Sequence, residues 1–179
     1  MTKIVIDLGC GYKKHEGAIG VDYSVNSNAD VIHDLNIFPY PFGESDVDVA
    51  IMDNSLEHLN DIVRVTDEVF RITKDAGLVK VIVPYFRSRW AFIDPTHKHF
   101  FTVDSFSYYD PSHFNHSQYP LSKSTFRVER VVFNEGLDNS FIRKLFVVLG
   151  NWRPGAYEKW ISHFYPLDQL TFYLRVLKM

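Results

Sequence analysis

The first half of the chain is a series of short apolar segments, each followed by polar or turn-forming residues. Lys3–Leu8 is almost continuously apolar and β-branched, as in a strand that is buried on both faces of a parallel sheet. The same pattern predicts strands at Ala18–Asp22, Asp30–Ile32, Val47–Met52 and Leu78–Val83. Because these strands alternate with loops and helical segments, the chain is expected to form a doubly wound α/β sheet of the Rossmann-like type.

One segment between these strands has helical periodicity. Its apolar and small residues fall on one face of a helix: Leu59, Ile62, Val63, Thr66, Val69, Phe70 and Thr73. Asn60 or Asp61 can cap the start of this helix, and Gly77 marks its end. The connection from Gly9 to Gly17 is shorter than a usual parallel crossover, so we expect at most one or two helical turns there.

Aromatic residues divide the chain into two parts. Of the 28 Phe, Trp and Tyr residues, 22 lie from Tyr85 onward. Tyr85–Phe101 is too long and too aromatic for a simple link between a strand and a helix, so we interpret it as a lid, and Val103–Tyr109 is predicted to form the next helix. We therefore expect a single domain over residues 1–179, with a ligand-binding half (1–84) and a lid and substrate-side half (85–179).

Composition and charge narrow the class of protein. The 179 residues carry a net charge of −3, which argues against a surface that binds nucleic acid without specificity. Cys10 is the one cysteine, so no disulfide can form within the chain and a reducing compartment is expected. The sequence has no charged-then-apolar leader and no run of 18 apolar residues, so we expect a soluble, cytoplasmic protein.

The turn after the first strand has the chemistry of a ligand site. Gly9 and Gly11 allow backbone to approach a ligand closely, and ligands of parallel sheets lie beyond the carboxyl ends of the strands. Asp7 can accept a hydrogen bond from an ammonium group, and Asp22, at the end of the second strand, can accept from two ribose hydroxyls. An ordinary glycine turn and a surface acid are the simpler interpretations.

Four segments in order carry a family resemblance: Asp7–Gly11, Gly20–Ser24, Phe42–Met52 followed by Asp53–His58, and Arg71–Gly77. Together they resemble the class I S-adenosylmethionine-dependent methyltransferases, in particular the small-molecule branch often called type 11. The resemblance covers about residues 3–84. It implies a mostly parallel, seven-stranded sheet whose last strand is antiparallel, and Leu170–Leu177, after a strand at Val128–Phe133, fits that closing strand.

The resemblance also implies a cofactor, S-adenosyl-L-methionine, and a role for each residue that matches the family's motifs. Asp7 and the glycine turn, Gly9, Cys10 and Gly11, would hold the methionine end. Asp22 would bind the ribose and Tyr23 would pack against the adenine. Asp34 and Leu35 would contact the adenine edge, and Asp53 and Asn54 would lie near the methionine end and the departing methyl group.

The sequence departs from the family pattern at two places. Tyr12-Lys13-Lys14 follow Gly11 where the family commonly has a further glycine, and the first strand begins at Lys3 without the usual preceding helix, so the N-terminal helices are truncated. A non-catalytic cofactor-binding or assembly protein therefore stays open as an alternative. A nicotinamide-dependent oxidoreductase is less favoured, because the third glycine is absent and Asp22 lies much closer than the roughly 20 residues expected.

The implied activity is methyl transfer to an O, N or C atom of a small-molecule acceptor, including a sugar or a lipid-linked molecule. A nucleic-acid acceptor is not expected, because Asp53–Leu56 lacks the proline-containing motif of enzymes that methylate DNA bases. His97, His99 and Tyr85 are the candidate catalytic residues. With Asp94, the two histidines would form a zinc-type ligand set, but loop histidines more often form hydrogen bonds, so we predict no metal.

The aromatic segment Asn151–Pro166 has two interpretations. Trp152, Tyr157, Trp160 and Phe164 could pack a helix against the sheet, which is the commoner use of a helical aromatic stripe. They could instead form an exposed face for a lipid-linked substrate, a membrane surface or a second subunit. We expect packing, with peripheral membrane contact through residues 151–166 as the alternative.

Overall fold

The computed structural model describes residues 3–119, 121–137 and 140–178. Within them, one sheet of seven strands has the order β3-β2-β1-β4-β5-β7-β6. The strands are β1 Val5–Leu8, β2 Ile19–Asp22, β3 Val31–Ile32, β4 Val47–Asp53, β5 Thr73–Pro84, β6 Phe126–Phe133 and β7 Gln169–Val176. Strands β1 to β5 are parallel, and β7 is antiparallel to both β5 and β6. The predicted fold, including the antiparallel last strand, is confirmed.

Helices cover less of the described chain than the sheet does. They are α1 Ile62–Ile72, α2 Trp90–Ile93, α3 Phe114–Gln118, α4 Phe141–Trp152 and α5 Pro154–Trp160, with 3-10 turns at Leu56–His58 and Ser107–Tyr109. The helix predicted at Val103–Tyr109 is wrong, because only its last three residues form the 3-10 turn. The Ser105 hydroxyl accepts from the Thr102 amide, and the Glu158 carboxylate accepts from the Val103 amide. These side chains bind backbone amides at the place where the helix would begin.

Helix α1 connects β4 to β5 and packs on the sheet. The Asp61 side chain accepts a hydrogen bond from the Arg64 amide, which identifies the N-cap. The buried face comprises Val65, Thr66, Val69 and Ile72. The helix ends at Ile72, earlier than Gly77, because Thr73 is already extended and begins β5.

The connection between β1 and β2 is compact, as predicted. It consists of turns, with Gly9, Gly11 and Gly17 all at positive φ. Because β1 lies between β2 and β4 at the centre of the parallel part of the sheet, this connection leaves the carboxyl ends of the central strands uncovered by a helix. The ligand-binding edge is therefore formed mostly by loops.

The C-terminal helices expose much of their apolar surface. Tyr157 is buried, whereas Trp152, Trp160 and Phe164 are 72%, 66% and 89% exposed. The prediction that this segment packs into the core is therefore wrong for those three side chains. On α4, Phe141, Leu145, Val148 and Trp152 are also exposed, and their spacing places them on one face of the helix. No helix in the described residues is long and apolar enough to cross a membrane.

Candidate active site

The glycine turn after β1 lies against the segment that follows β4. Gly9 has a φ of +80°, and a Cβ added there would lie 2.5 Å from the Cβ of Ser55. The Ser55 hydroxyl donates to the Leu8 carbonyl, which joins the two segments. Only glycine fits at this position, because it tolerates both the left-handed backbone and the close approach.

Asp22 organises the turn and still has capacity for a ligand. Its carboxylate accepts from the Gly11 and Ser24 amides, both at 2.9 Å, and the residue is buried. A carboxylate offers about four acceptor positions, so two are left for a pair of vicinal hydroxyls. The structure thus explains Gly11 as a residue that orients Asp22 through its amide.

Asp7 has one carboxylate oxygen that meets no partner among the described residues. Oδ2 accepts from the His15 amide at 2.8 Å, whereas Oδ1 is buried and has no hydrogen bond. Burial raises the pKa of this carboxyl group, and the His15 amide opposes the shift. A cationic ligand group at Oδ1 would satisfy the oxygen and stabilise its charge, as the ammonium of S-adenosylmethionine would.

Two cavities lie at the carboxyl ends of the central strands, and Gly9 and Asn54 line both of them. One, of about 280 Å³, is lined by Asp7, Gly9, Cys10, Lys13, Asp53 and Asn54. The other, of about 420 Å³, includes Gly9, Asp22, Tyr23, Asp34, Leu35 and Asn54 in its lining. All predicted cofactor residues line one of these cavities except Gly11, which acts through Asp22. The crevice therefore has room for a ligand with an amino-acid end and a nucleoside end.

A third cavity, of about 520 Å³, lies between the end of β4 and the segment predicted as a lid. Its apolar wall includes Pro84, Trp90, Ile93 and Leu137, and its polar wall includes Glu57, His58, Asp94, His97, Asp168 and Gln169. Asn54 also lines this cavity, so it is common to all three. Asn54 has a φ of +50° and its side chain donates to Asp53.

Glu57 is the most perturbed acid in this cavity. The residue is 1% exposed, and neither carboxylate oxygen has a hydrogen-bond partner in the described part of the chain. Burial raises the pKa of Glu57 to about 7, with smaller contributions from Asp53 and Asp94. A buried carboxyl group that lines a cavity and lacks partners is a functional-site signal.

The histidines beside Glu57 are held in defined orientations. His58 Nδ1 lies 2.8 Å from the Thr96 hydroxyl oxygen, and that hydroxyl donates to Asp94. His97 Nδ1 lies 3.0 Å from the Ala91 carbonyl oxygen. The imidazole rings of His58 and His97 form an edge-to-face contact, with their centroids 4.7 Å apart. Burial lowers the pKa of His58, and the neighbouring His97 adds to this shift, whereas Asp94 opposes it.

The three predicted catalytic residues have different surroundings. His97 lines the third cavity. His99 Nε2 lies 2.8 Å from the Leu59 carbonyl, and Tyr85 is fully buried with its hydroxyl bonded to Ser162. Neither of the latter two lines a cavity described above. Four residues of the segment predicted as a lid, Trp90, Ile93, Asp94 and His97, border the third cavity.

Sequence reasoning missed Glu57 and His58, which line the third cavity, although both belong to the segment Asp53–His58 that matches the family pattern. Their positions shortly after the end of β4 could have indicated a site, but the 3-10 turn Leu56–His58 was not predictable. His15 was also missed. Its ring lies 3.2 Å from Asp53 and spans the crevice between the turn after β1 and the end of β4.

Comparisons with known proteins agree with this geometry. Residues 6–81 match the family model described as "Methyltransferase domain". The methyltransferase in a complex with the Trm112 methyltransferase activator from Haloferax volcanii has a TM-score of 0.59 at 15% identity, over 99% of this chain and 83% of that one. A SAM-dependent methyltransferase from Archaeoglobus fulgidus gives 0.55 at 15% identity, over 97% and 86%.

The [4+2]-cyclase SpnF is similar to the same extent, with a TM-score of 0.57 at 14% identity over 99% of this chain and 76% of that one. At these identities the structural similarities establish the fold alone. No curated protein has a significantly similar sequence.

Proposed function

We propose that this chain, a class I S-adenosylmethionine-dependent methyltransferase, transfers methyl groups to an oxygen or nitrogen atom of a small molecule bound in the third cavity. The observation that carries the proposal is the position of Asn54. It lines both cofactor-side cavities and the third cavity. A methyl group passed from donor to acceptor must cross such a junction.

The cofactor supplies an electrophilic methyl group on a sulfonium. Asp7 and Asp22 would hold its two ends, and Asn54 would lie beside the methyl group. When bound, the cofactor would offer this carbon to an acceptor lone pair, and the electron pair of the broken carbon–sulfur bond would stay on sulfur. A proton released by the acceptor would pass to the imidazole of His97, which lines the third cavity. The protein contributes mainly alignment and exclusion of water.

The lining of the third cavity suggests the kind of acceptor. Its lining combines apolar side chains, among them Trp90, with three acids, Glu57, Asp94 and Asp168, of which Asp168 is also ion-paired with Arg143. Acidic side chains repel phosphate groups. We therefore favour an acceptor with an apolar body and a hydroxyl or amine group over a nucleotide or another polyphosphate.

The exposed face of α4 and α5 supports a lipid-linked acceptor. Lys144 on α4, Lys159 on α5 and Arg153 between the two helices are exposed, in a protein whose net charge is −3. The Arg153 guanidinium lies 5.0 Å from the Trp152 ring, and the Lys159 ammonium lies 4.8 Å from the Trp160 ring. Apolar and aromatic side chains bordered by cations are complementary to an anionic bilayer surface, where an amphipathic helix can lie flat.

Transfer of labelled methyl groups to a panel of hydroxylated and aminated small molecules tests the proposed function. We expect turnover with at least one acceptor, together with S-adenosylhomocysteine binding in the micromolar range. Asn54→Ala should bind S-adenosylhomocysteine but lose most of the turnover, because its side chain lies at the junction. Turnover that is unaffected in Asn54→Ala would contradict the proposed path.

A further inference from the structure

The side chains of Glu57, His58 and His97 form a cluster at the polar wall of the third cavity. One potential ligand atom from each of the three residues lies within 4.8 Å of the other two. From this arrangement we infer that the cluster is a binding site for a divalent transition-metal ion such as Zn²⁺. Two imidazoles and one carboxylate are a ligand set of catalytic zinc sites, in which a further position stays open for water or substrate.

Glu57 provides the first argument. The residue lines the cavity, and both of its carboxylate oxygens are buried and have no hydrogen-bond partner among the described residues. An unpaired carboxylate in such a position is strongly unfavourable. A metal ion would compensate both the charge and the missing partners. Among the described residues that line this cavity there is no lysine or arginine to do so.

The histidine orientations provide the second argument. The Ala91 carbonyl can only accept, so His97 Nδ1 donates to it. The Thr96 hydroxyl gives its proton to Asp94, so His58 Nδ1 donates to Thr96. With Nδ1 as the donor, the neutral form of each ring has its lone pair on Nε2. This is the arrangement of metal-binding histidines, whose other nitrogen is fixed by a carbonyl or by a carboxylate-linked group.

The backbone holds the two segments of the cluster together. The Glu57 carbonyl accepts from the Lys98 amide at 2.8 Å and from the His99 amide at 3.3 Å. Ligand atoms on one tetrahedral zinc are about 3.3 Å apart, given bond lengths of about 2.0–2.2 Å. The separations between the ligand atoms, at most 4.8 Å, would therefore have to shorten by no more than about 1.5 Å to reach this spacing.

A bound ion would face the space in which we place the acceptor. There it would bind an acceptor oxygen as a Lewis acid and lower the pKa of a hydroxyl group, whose proton would pass to solvent instead of to an imidazole. This catalytic role rests on the proposed function, whereas binding of the ion does not.

The test is direct metal binding to the chelator-treated full chain. Calorimetric titration with Zn²⁺, and the visible absorption of added Co²⁺, should show one equivalent bound. Glu57→Gln and His97→Ala should each weaken binding by about 100-fold. His99→Ala is the matched control, because its ring bonds to the Leu59 carbonyl outside the cavity, and it should bind the ion like the unmodified chain.

Absence of binding by Zn²⁺, Co²⁺ and Mn²⁺, or binding that is equal in all variants, would overturn the inference. Thermal unfolding and S-adenosylhomocysteine affinity of each variant show whether it is folded. If Glu57→Gln does not fold, His58→Ala replaces it in the comparison. A chain that binds S-adenosylhomocysteine and transfers methyl groups without binding any ion would contradict the metal site alone and leave the proposed function intact.

Discussion

At the scale of single residues, the candidate site depends on a few positions where backbone geometry and chemistry coincide. Gly9 lies between β1 and the segment after β4, with no room for a side chain. Asn54 adopts a positive φ at the meeting point of the three cavities. Such conformations cost free energy in non-glycine residues and persist where the surrounding structure enforces them.

Gly9→Ala should destabilise the protein by about 2–4 kcal/mol, because it adds a steric clash with Ser55 to the strain of a left-handed backbone. Gly11→Ala is the control. Its φ is +51° but nothing lies within 4 Å of the added Cβ, so only the backbone strain of about 1–2 kcal/mol remains. Chemical denaturation of both variants measures the difference. Equal losses of stability in the two variants would show that the steric clash with Ser55 adds nothing to the backbone strain.

Asp22→Ala should reduce the affinity for S-adenosylhomocysteine by about ten- to a hundredfold, since charge-assisted hydrogen bonds contribute about 1.5–3 kcal/mol each. Asp22→Asn separates this effect from the fold of the turn, because an amide oxygen still accepts from one backbone amide. Calorimetric titration measures both variants. An affinity unchanged in Asp22→Ala would remove Asp22 from the ribose site.

At the scale of elements, α4 and α5 differ from α1 in where their apolar residues point. The apolar face of α1 is buried against the sheet, whereas α4 packs Phe146, Val147 and Leu149 against the core and exposes a second apolar face. The periodicity of a sequence shows that a helix has an apolar face, but not which neighbour covers it. This is why packing of residues 151–166 was expected and was wrong for Trp152, Trp160 and Phe164.

The chain should bind vesicles that contain phosphatidylglycerol more tightly than vesicles of phosphatidylcholine alone, and added salt should weaken this binding. Trp152→Ser combined with Phe164→Ser should reduce binding at least tenfold. Phe114→Ser is the control, because Phe114 is similarly exposed but lies on α3. Co-sedimentation measures the bound fraction. A concentration-dependent dimer that the double variant abolishes would instead assign this face to a second copy of the chain.

Glu68 also joins helix α1 to the loop between β3 and β4. Its carboxylate binds the Tyr40 amide and the Arg71 guanidinium. Burial alone would raise the pKa of Glu68, but these hydrogen bonds and the Arg71 charge outweigh it, so the pKa is lowered from its ordinary value of 4.5. The stabilisation is therefore complete above pH 4.5 and is lost as the pH falls through the folded-state pKa.

Glu68→Gln should accordingly lower the free energy of unfolding by about 1–2 kcal/mol at pH 7. The difference from the unmodified chain should shrink below pH 4.5, as the native carboxylate becomes protonated. Denaturation curves at several pH values measure this change, with the exposed Glu16→Gln as control. A difference that does not depend on pH would indicate that packing, not charge, is responsible.

At the scale of the whole molecule, much of the fold was predictable because buried parallel strands have a strong apolar signature. The strands β1 to β5 and the acids Asp7 and Asp22 were all located from sequence. The third cavity was not, because its walls come from residues as distant as Trp90, Leu137 and Gln169. Glu57 was missed for a related reason: neither its burial nor its lack of partners is visible in a linear pattern.

S-Adenosylhomocysteine should raise the melting temperature, whereas NAD should not. At a concentration 100 times the dissociation constant, binding adds about 2.7 kcal/mol to the free energy of unfolding. For a chain of this size that corresponds to a shift of about 5–10 °C. Differential scanning fluorimetry with both ligands makes the comparison. Stabilisation by NAD alone would favour a nicotinamide-dependent oxidoreductase.

The position of β7 has a consequence for synthesis of the chain. Strand β7 pairs with β5 on one side and with β6 on the other, although β5 leaves the ribosome about 90 residues earlier. Until Gln169–Val176 has been translated, the long apolar β5 has an unpaired edge, and such edges promote aggregation of nascent chains. Ribosomes that stall in the loop before β7 should therefore carry a chain that depends on chaperones to stay soluble.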